Sequence, residues 1–291
     1  MKFVFISDTH VGANPVGFQQ QKAYPEKLSE ILEALNQWII EEKDIDFVLH
    51  GGDMVDVGTT GNILMARQLF KLSVPVYLCL GNHDLNRPEA LKRWLTHAPE
   101  FFPDGEPTFT VKNGPVCIHV IPTQWDETPY NWTDIQDPHF LKKQLTEVKK
   151  NAPVGEKEVH FLCTHSCVLG VPAEQTGFSH EFHHSGEAFE REVFEIIRLN
   201  PSIRCVISGH NHINTNVLKD NIHFVTASSF AEIPFEAKVF DVSETTISME
   251  TLTLLPRLTL HPHLSRLGFN GEYDFNKTFV QGRDKDRSFV E

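Results

Sequence analysis

Apolar residues along this chain fall into short unbroken runs separated by stripes at helical spacing. Lys2 to Ser7 is almost entirely apolar, the pattern of a strand buried on both faces. A loop rich in Gly, Pro and Gln follows from Val11 to about Tyr24. Leu28, Ile31, Leu32, Leu35 and Ile39 then recur at helical intervals and predict an amphipathic helix ending near Glu41-Glu42-Lys43. Asp46 to Leu49 reads as a second strand, Ile63 to Leu72 as a helix, and Val74 to Leu80 as a third strand. Strands alternating with helices in this way predict a parallel sheet with right-handed crossovers.

Further along, Pro88 to Pro107 holds a short helix. Phe109 to Lys112 and Val116 to Ile121 flank Asn113-Gly114, a strong hairpin signal. A loop with Trp125 and Trp132 leads into a helix near Pro138 to Lys150. Val159 to Thr164 and Arg204 to Ser208 read as strands, with a helix over Glu187 to Leu199 between them. Ile222 to Thr226, Ala237 to Val242 and Thr246 to Leu254 have the alternation of antiparallel strands. No repeat or linker divides the chain. The reading is one domain over residues 1–255, with residues 256–291 as a polar tail that wraps the domain or meets another copy.

Composition narrows the class without naming a function. At 291 residues the chain can bury a sizeable core without staples, and 40% hydrophobic with 22% charged residues is ordinary for a globular protein. A net charge of −13 argues against extended nucleic-acid or acidic-membrane binding. It leaves room for a small anionic substrate, because a bound metal inverts the local field. Five cysteines without framework spacing imply free thiols in a reducing compartment. With no signal sequence and no apolar stretch near the ~20 residues that span a bilayer, the expectation is a cytoplasmic protein that does not enter a membrane.

Chemistry enters at the strand ends. Five segments each close or follow an apolar run: Ser7-Asp8-Thr9-His10, Gly51-Gly52-Asp53, Gly81-Asn82-His83-Asp84, Thr164-His165 and Gly209-His210-Asn211-His212. If the strand continues through them, Asp8 and His10 point the same way, as do His210 and His212. Carboxylate, imidazole and amide oxygen together suit zinc, manganese or iron. The glycines beside these residues suit tight turns and close backbone approach. Ligands of open α/β sheets bind outside the carboxyl ends of the strands. A single Asp-x-His, or a single Gly-Asn-His-Asp with a capping Asp, is usually structural; five such segments in one chain are not coincidence.

In this order the motifs resemble those of the calcineurin-like metallophosphoesterase superfamily, over Lys2 to about Val242. The resemblance implies an α/β fold, a four-layer αββα sandwich of two mixed β-sheets, with two metal ions held between them. It implies that Asp8, His10, Asp53 and His212 hold one ion and that Asp53, Asn82, His165 and His210 hold the other, Asp53 bridging. His83 becomes the proton donor or phosphoryl contact, and Asp84 the residue that fixes its tautomer. The implied reaction is hydrolysis of a small phosphoester by metal-activated water, with iron, manganese or zinc as the ions.

The branch is less sharply marked. Protein Ser/Thr phosphatases carry Gly-Asp-x-x-Asp-Arg-Gly and Gly-Asn-His-Glu, whereas Val57 and Asp84 stand in the differing places. DNA-repair nucleases of the superfamily are larger and fit the acidic charge poorly. The chain is most similar to bacterial class III cyclic nucleotide phosphodiesterases and the related glycerophosphodiesterases. It departs from the former after His165, where Ser166-Cys167-Val168-Leu169-Gly170 replaces a His-Pro-Pro-like stretch. Phosphomonoesterase and nucleotide pyrophosphatase are the alternatives, and a non-catalytic scaffold of the same fold is the competing class. Family dimers form through an added cap hairpin; none is identifiable in this sequence, so a homodimer stays open. His180, His183 and His184 read first as an exposed His-rich loop and secondly as substrate contacts. Trp125 and Trp132 read as packing, and Arg87 as a solvated loop residue.

Overall fold

A computed structural model describes residues 1–14, 18–124, 137–150, 158–258 and 279–291. Two six-stranded mixed sheets lie face to face with helices outside them, the four-layer sandwich expected. In chain order the elements are β1 (Lys2–Ile6), α1 (Leu28–Glu42), β2 (Phe47–His50), α2 (Thr60–Leu69), β3 (Val76–Leu78) and α3 (Ala90–His97). The β4 (Phe109–Asn113) and β5 (Val116–Val120) hairpin follows, then α4 (Lys142–Lys150), β6 (Val159–Cys163), α5 (Ala173–Thr176), α6 (Glu187–Leu199) and β7 (Ile203–Ser208). The chain closes with β8 (Thr215–Lys219), β9 (Ile222–Thr226), β10 (Glu236–Val242), β11 (Ile247–Thr253), α7 (Asp284–Arg287) and β12 (Ser288–Val290).

The first sheet runs β12-β11-β10-β1-β2-β3 and the second β4-β5-β6-β7-β9-β8. β1, β2 and β3 are parallel, as their crossovers require, and so are β5, β6, β7 and β9. The predicted antiparallel set at the end of the chain is corrected in two ways. β9 lies parallel to β7 in the second sheet, while β10 and β11 form an antiparallel pair against β1 in the first. β8, which the alternation did not reveal, pairs with β9; Val217 and Leu218 are adjacent and Leu218 is exposed, so the run lacks a clean period of two. The end of the chain returns as β12, on the edge of β11.

Aromatic side chains fill the gap between the sheets. The Phe3 ring stacks on Phe47 and Phe240 within the first sheet and meets Phe161 of the second edge-on at 5.8 Å. Each such buried ring contributes roughly 1.5–3 kcal/mol relative to exposure. The stripe predicted for α1 is the buried one, Leu28, Ile31, Leu32, Leu35 and Ile39, with Trp38 beside it. α2 starts where the Thr59 hydroxyl accepts the Asn62 N–H at 3.3 Å, a side-chain N-cap. On the other outer face, Phe189, Val193, Ile196 and Ile197 of α6 cover Leu162, Val206 and Phe224. The result holds the carboxyl ends of β1, β2, β6 and β7 rigidly at one edge of the sandwich.

Candidate active site

Parallel pairing of β1 with β2 continues beyond the strands themselves. Asp8 N–H donates to Gly52 O at 2.9 Å, His10 N–H to Asp53 O at 3.0 Å, and Val11 N–H to Met54 O at 2.9 Å. This rail sets Asp8 and His10 alongside Asp53. The expected strand alternation is not the reason they converge: Asp8, His10, Asp53, His210 and His212 all adopt left-handed backbone, with φ between 47° and 73°. For residues with side chains that conformation is uncommon, and it concentrates at functional sites. The adjoining glycines permit the approach. Gly52 has φ +111° and no room for a Cβ against the His165 ring, and a Cβ on Gly209 would overlap the Ser7 hydroxyl.

All seven anticipated ligands come together. His10 Nε2 lies 3.3 Å from His212 Nε2, which lies 3.4 Å from Asp8 Oδ1. On the other side, His165 Nε2 lies 3.2 Å from Asp53 Oδ2, 3.2 Å from Asn82 Oδ1 and 3.3 Å from His210 Nδ1. Donor atoms of Asp8, His10 and His212 form one group within 4.8 Å, and those of Asp53, His165 and His210 another. Donors of His10, Asp53 and His83 also fall within that limit, so spacing alone does not separate His83 from the ligands. Its side chain is 33% exposed, against 3% for His10 and none for His165, although His210 is also partly exposed.

Charge is poised by these neighbours. Burial favours neutral Asp8, but His212 and His165 outweigh it and hold the carboxyl below its usual range. Asp53 is likewise depressed against burial, mainly by His165. Burial would neutralise His212, yet Asp8 and Glu232 raise it to about 10; Asp53 raises His165 to about 9 in the same way. His210, with burial and His165 both acting against charge, falls to about 3. Two protonated imidazoles thus stand beside two carboxylates that demand positive charge, all aimed inward. Divalent cations meet that demand through the same nitrogens and oxygens. His10 Nδ1 is buried without a hydrogen bond although Asp56 Oδ1 is 3.3 Å away. The donor set fits two first-row metal ions.

The role expected of Asp84 is corrected. Its carboxylate accepts the N–H groups of Val55 and Gly81 at 3.0 and 2.9 Å, and so braces the turn carrying Asn82 and His83. The His83 ring is held by Asp56, whose backbone O lies 2.8 Å and Oδ1 3.4 Å from Nδ1. Burial opposes charge on His83, but Asp56 and Asp53 raise it to about 9. Asp56 was legible only as the second acid of Gly-Asp-x-x-Asp. Glu232 carried a fainter signal, one acid inside the apolar run Phe230 to Phe235. It is 1% exposed, contacts His212 Nδ1 at 2.6 Å, and accepts the N–H groups of Gln20 and Gln21.

The loop histidines part company. His183 reaches the site, its ring edge-on to His210 at 5.2 Å, whereas His184 pairs with Glu190 and His180 lies against Phe178. Phe18, 42% exposed, stands edge-on to His212 at 5.1 Å. Arg87 is exposed. Trp125 and Trp132 lie outside the described residues.

Donor clusters at the carboxyl ends of parallel strands make this edge of the two facing sheets a candidate metal centre. The calcineurin-like phosphoesterase family model matches residues 1–214, and the chain belongs to that family. Among solved structures, a dimetal phosphatase from Danio rerio is similar over 87% of this chain and 96% of its own, with 14% identity and a TM-score of 0.65. GAP50, the anchor in the inner membrane complex of Plasmodium, matches over 87% of this chain and 84% of its own, with 12% identity and a TM-score of 0.60. A 5'-nucleotidase from Candida albicans matches over 95% of this chain and 56% of its own, at 14% identity and a TM-score of 0.54. No curated protein matches. Among the described residues no helix is long and apolar enough to cross a membrane.

Proposed function

We propose that this chain is a binuclear metal-dependent phosphodiesterase acting on a small phosphodiester, with a cyclic nucleotide ahead of a glycerophosphodiester. The observation that carries the reading is the place of Asp53 between the two sides of the centre, grouped with His165 and His210 on one side and with His10, which also belongs to the Asp8 and His212 group, on the other. Asp8, His10, Asp53 and His212 hold one ion, and Asp53, Asn82, His165 and His210 the other. Bound there, two ions supply Lewis-acid charge to a phosphoryl group and acidify water. Iron, manganese and zinc all suit the donors.

The remaining chemistry belongs to the chain. Asp56 anchors Nδ1 of His83, leaving Nε2 as the nitrogen that meets substrate. Protonated through its carboxylate neighbours, His83 donates to the departing alkoxide. Asp84 keeps that turn in place. Two features favour a diester. Among the described residues, the carboxylates of the centre pair with histidine and not with Lys or Arg, a poor match for a dianionic monoester that wants extra cations. Phe18 and His183 form an aromatic wall beside the donors, suited to stacking a nucleobase.

A substrate panel with manganese, iron or zinc tests this directly: bis-p-nitrophenyl phosphate, cyclic nucleotides, glycerophosphodiesters, phosphomonoesters and nucleotide pyrophosphates. Higher kcat/KM for cyclic nucleotides, with a raised KM in Phe18→Ala, is the expected result. Preference for monoesters or pyrophosphates would move the chain to those branches, with which the 5'-nucleotidase likeness agrees. Absence of all turnover with two ions bound would make it a non-catalytic scaffold.

A further inference from the structure

We propose a third metal site, for a zinc-like divalent ion, formed by Cys117, His160 and Glu158 at the end of the second sheet away from the strand-end centre. Cys117 and His160 are register partners on adjacent parallel strands β5 and β6, so their side chains share a face. Glu158 immediately precedes β6 and reaches back, its Oε2 3.1 Å from His160 Nε2. The cysteine sulfur, the imidazole nitrogen and a carboxylate oxygen all lie within 4.8 Å of one another. A tetrahedral zinc site with bonds of 2.0–2.3 Å needs donors roughly 3.3–3.6 Å apart, within small side-chain rotations of this arrangement. The set belongs to none of the strand-end motifs, and His160 lies five residues before His165, about 15 Å along an extended strand.

The hydrogen bonds behind His160 accommodate the ligand form. Its Nδ1 faces His119 Nε2 and Asn200 Nδ2, each at 2.9 Å, and His119 Nδ1 meets the Thr110 hydroxyl at 3.1 Å. With the amide so turned, Asn200 Oδ1 is buried without a partner and two donors compete for one nitrogen lone pair. Turning the Asn200 amide places Oδ1 beside a proton on Nδ1, the tautomer that ligation through Nε2 requires. The lone pair of His160 then resides on Nε2 and faces the Glu158 carboxylate at close range. In that tautomer the two lone pairs repel at this separation unless a cation lies between them, whereas in the other Nε2–H donates to Glu158. Metal-bound histidines are oriented in this way, through the nitrogen that does not bind.

Burial lowers the basicity of both His160 and His119, the latter to about 4, so both rings present lone pairs. Lys112 Nζ holds the other carboxylate oxygen, Oε1, at 2.8 Å and leaves Oε2 to the ion. Cys117 is nearly covered while Glu158 is partly exposed, so the open side admits water as the fourth ligand. Binding releases the thiol proton to solvent and is therefore favoured by rising pH.

Cobalt(II) titration of the full chain reads this site apart from the strand-end centre. The latter has only nitrogen and oxygen donors, so a sulfur-to-cobalt charge-transfer band reports thiolate ligation alone. One equivalent of cobalt is expected to develop that band, with zinc displacing it. Cys117→Ser should abolish it, lower bound zinc by one equivalent, and leave bis-p-nitrophenyl phosphate turnover unchanged. Asn200→Ala should weaken the site roughly 10–100-fold. Lys112→Ala, at an exposed position, should tighten it by freeing the carboxylate. The band should survive in Asp53→Asn, so its fate does not depend on the strand-end assignment. Absence of the band in the folded wild-type chain at saturating cobalt, or its persistence in Cys117→Ser, overturns the proposal.

Discussion

β6 carries a buried histidine near each end of its path, and the two live by opposite rules. His165, just past its carboxyl end, is surrounded by carboxylates that raise it to about 9. His160, at its amino end, is lowered by burial and leans on a second neutral histidine. The first belongs to donors gathered from five separate segments, five of them with left-handed backbone. The second sits beside Cys117, its register partner on the neighbouring strand, and Glu158, just before its own strand. Burial acts on both rings in the same direction; the number of carboxylates facing each decides the outcome.

Removing the shared carboxylate should produce the largest difference between the two ends. Asp53→Asn is expected to reduce hydrolysis to background and to empty the strand-end centre, while the cobalt–thiolate band at the amino end persists. Full metal content at the centre in this variant would refute the bridging assignment of Asp53. Next in size, His83→Ala should lower kcat about 10²–10⁴-fold with metal content unchanged. If elemental analysis instead finds metal missing, the grouping of His83 with His10 and Asp53 is ligation and not proton transfer.

Glu232→Gln tests whether a carboxylate behind a ligand matters as it does at other metal sites. Metal affinity is expected to fall roughly 10–100-fold, with kcat recovering at high metal concentration. Unchanged affinity would reduce Glu232 to a brace for Gln20 and Gln21.

The smallest effect concerns a base in which burial wins despite nearby acids. Lys238 is completely buried, donating to Thr251 Oγ1 at 2.9 Å and Asp286 O at 3.0 Å, and burial lowers it from 10.5 to about 7. Between those values the folded chain binds fewer protons than the unfolded one, so stability rises with pH. From pH 8 to 9 the gain is at most about 1.4 kcal/mol. Denaturant midpoints should show that slope in the wild type and lose it in Lys238→Met; equal slopes would place the ammonium in a better solvated setting.

Much of this was readable from the sequence. The runs at Lys2, Val159 and Arg204, and the stripe from Leu28 to Ile39, announced strands and a helix because burial imposes its period on the residues. The motif residues were readable because strand ends in α/β sheets deliver them to one edge. The reason offered for Asp8 and His10 was wrong, since their left-handed backbone, not strand alternation, turns them inward. Asp84 was paired with His83 because it is adjacent in sequence, yet the turn directs its carboxylate to backbone N–H groups and gives the ring to Asp56. The partner of β9 was misjudged because alternation marks a strand without marking its neighbour.

By itself the sequence determined which segments are buried strands, which polar residues terminate them, and hence the chemical class of the centre. These follow from local period and composition, which act within a few residues. Only the tertiary structure decided that Asp56 and Glu232 stand behind the ligands, that His183 and Phe18 wall the site, and that Cys117 meets His160. Those contacts join residues far apart in sequence through sheet register and loop course, and no local pattern encodes them.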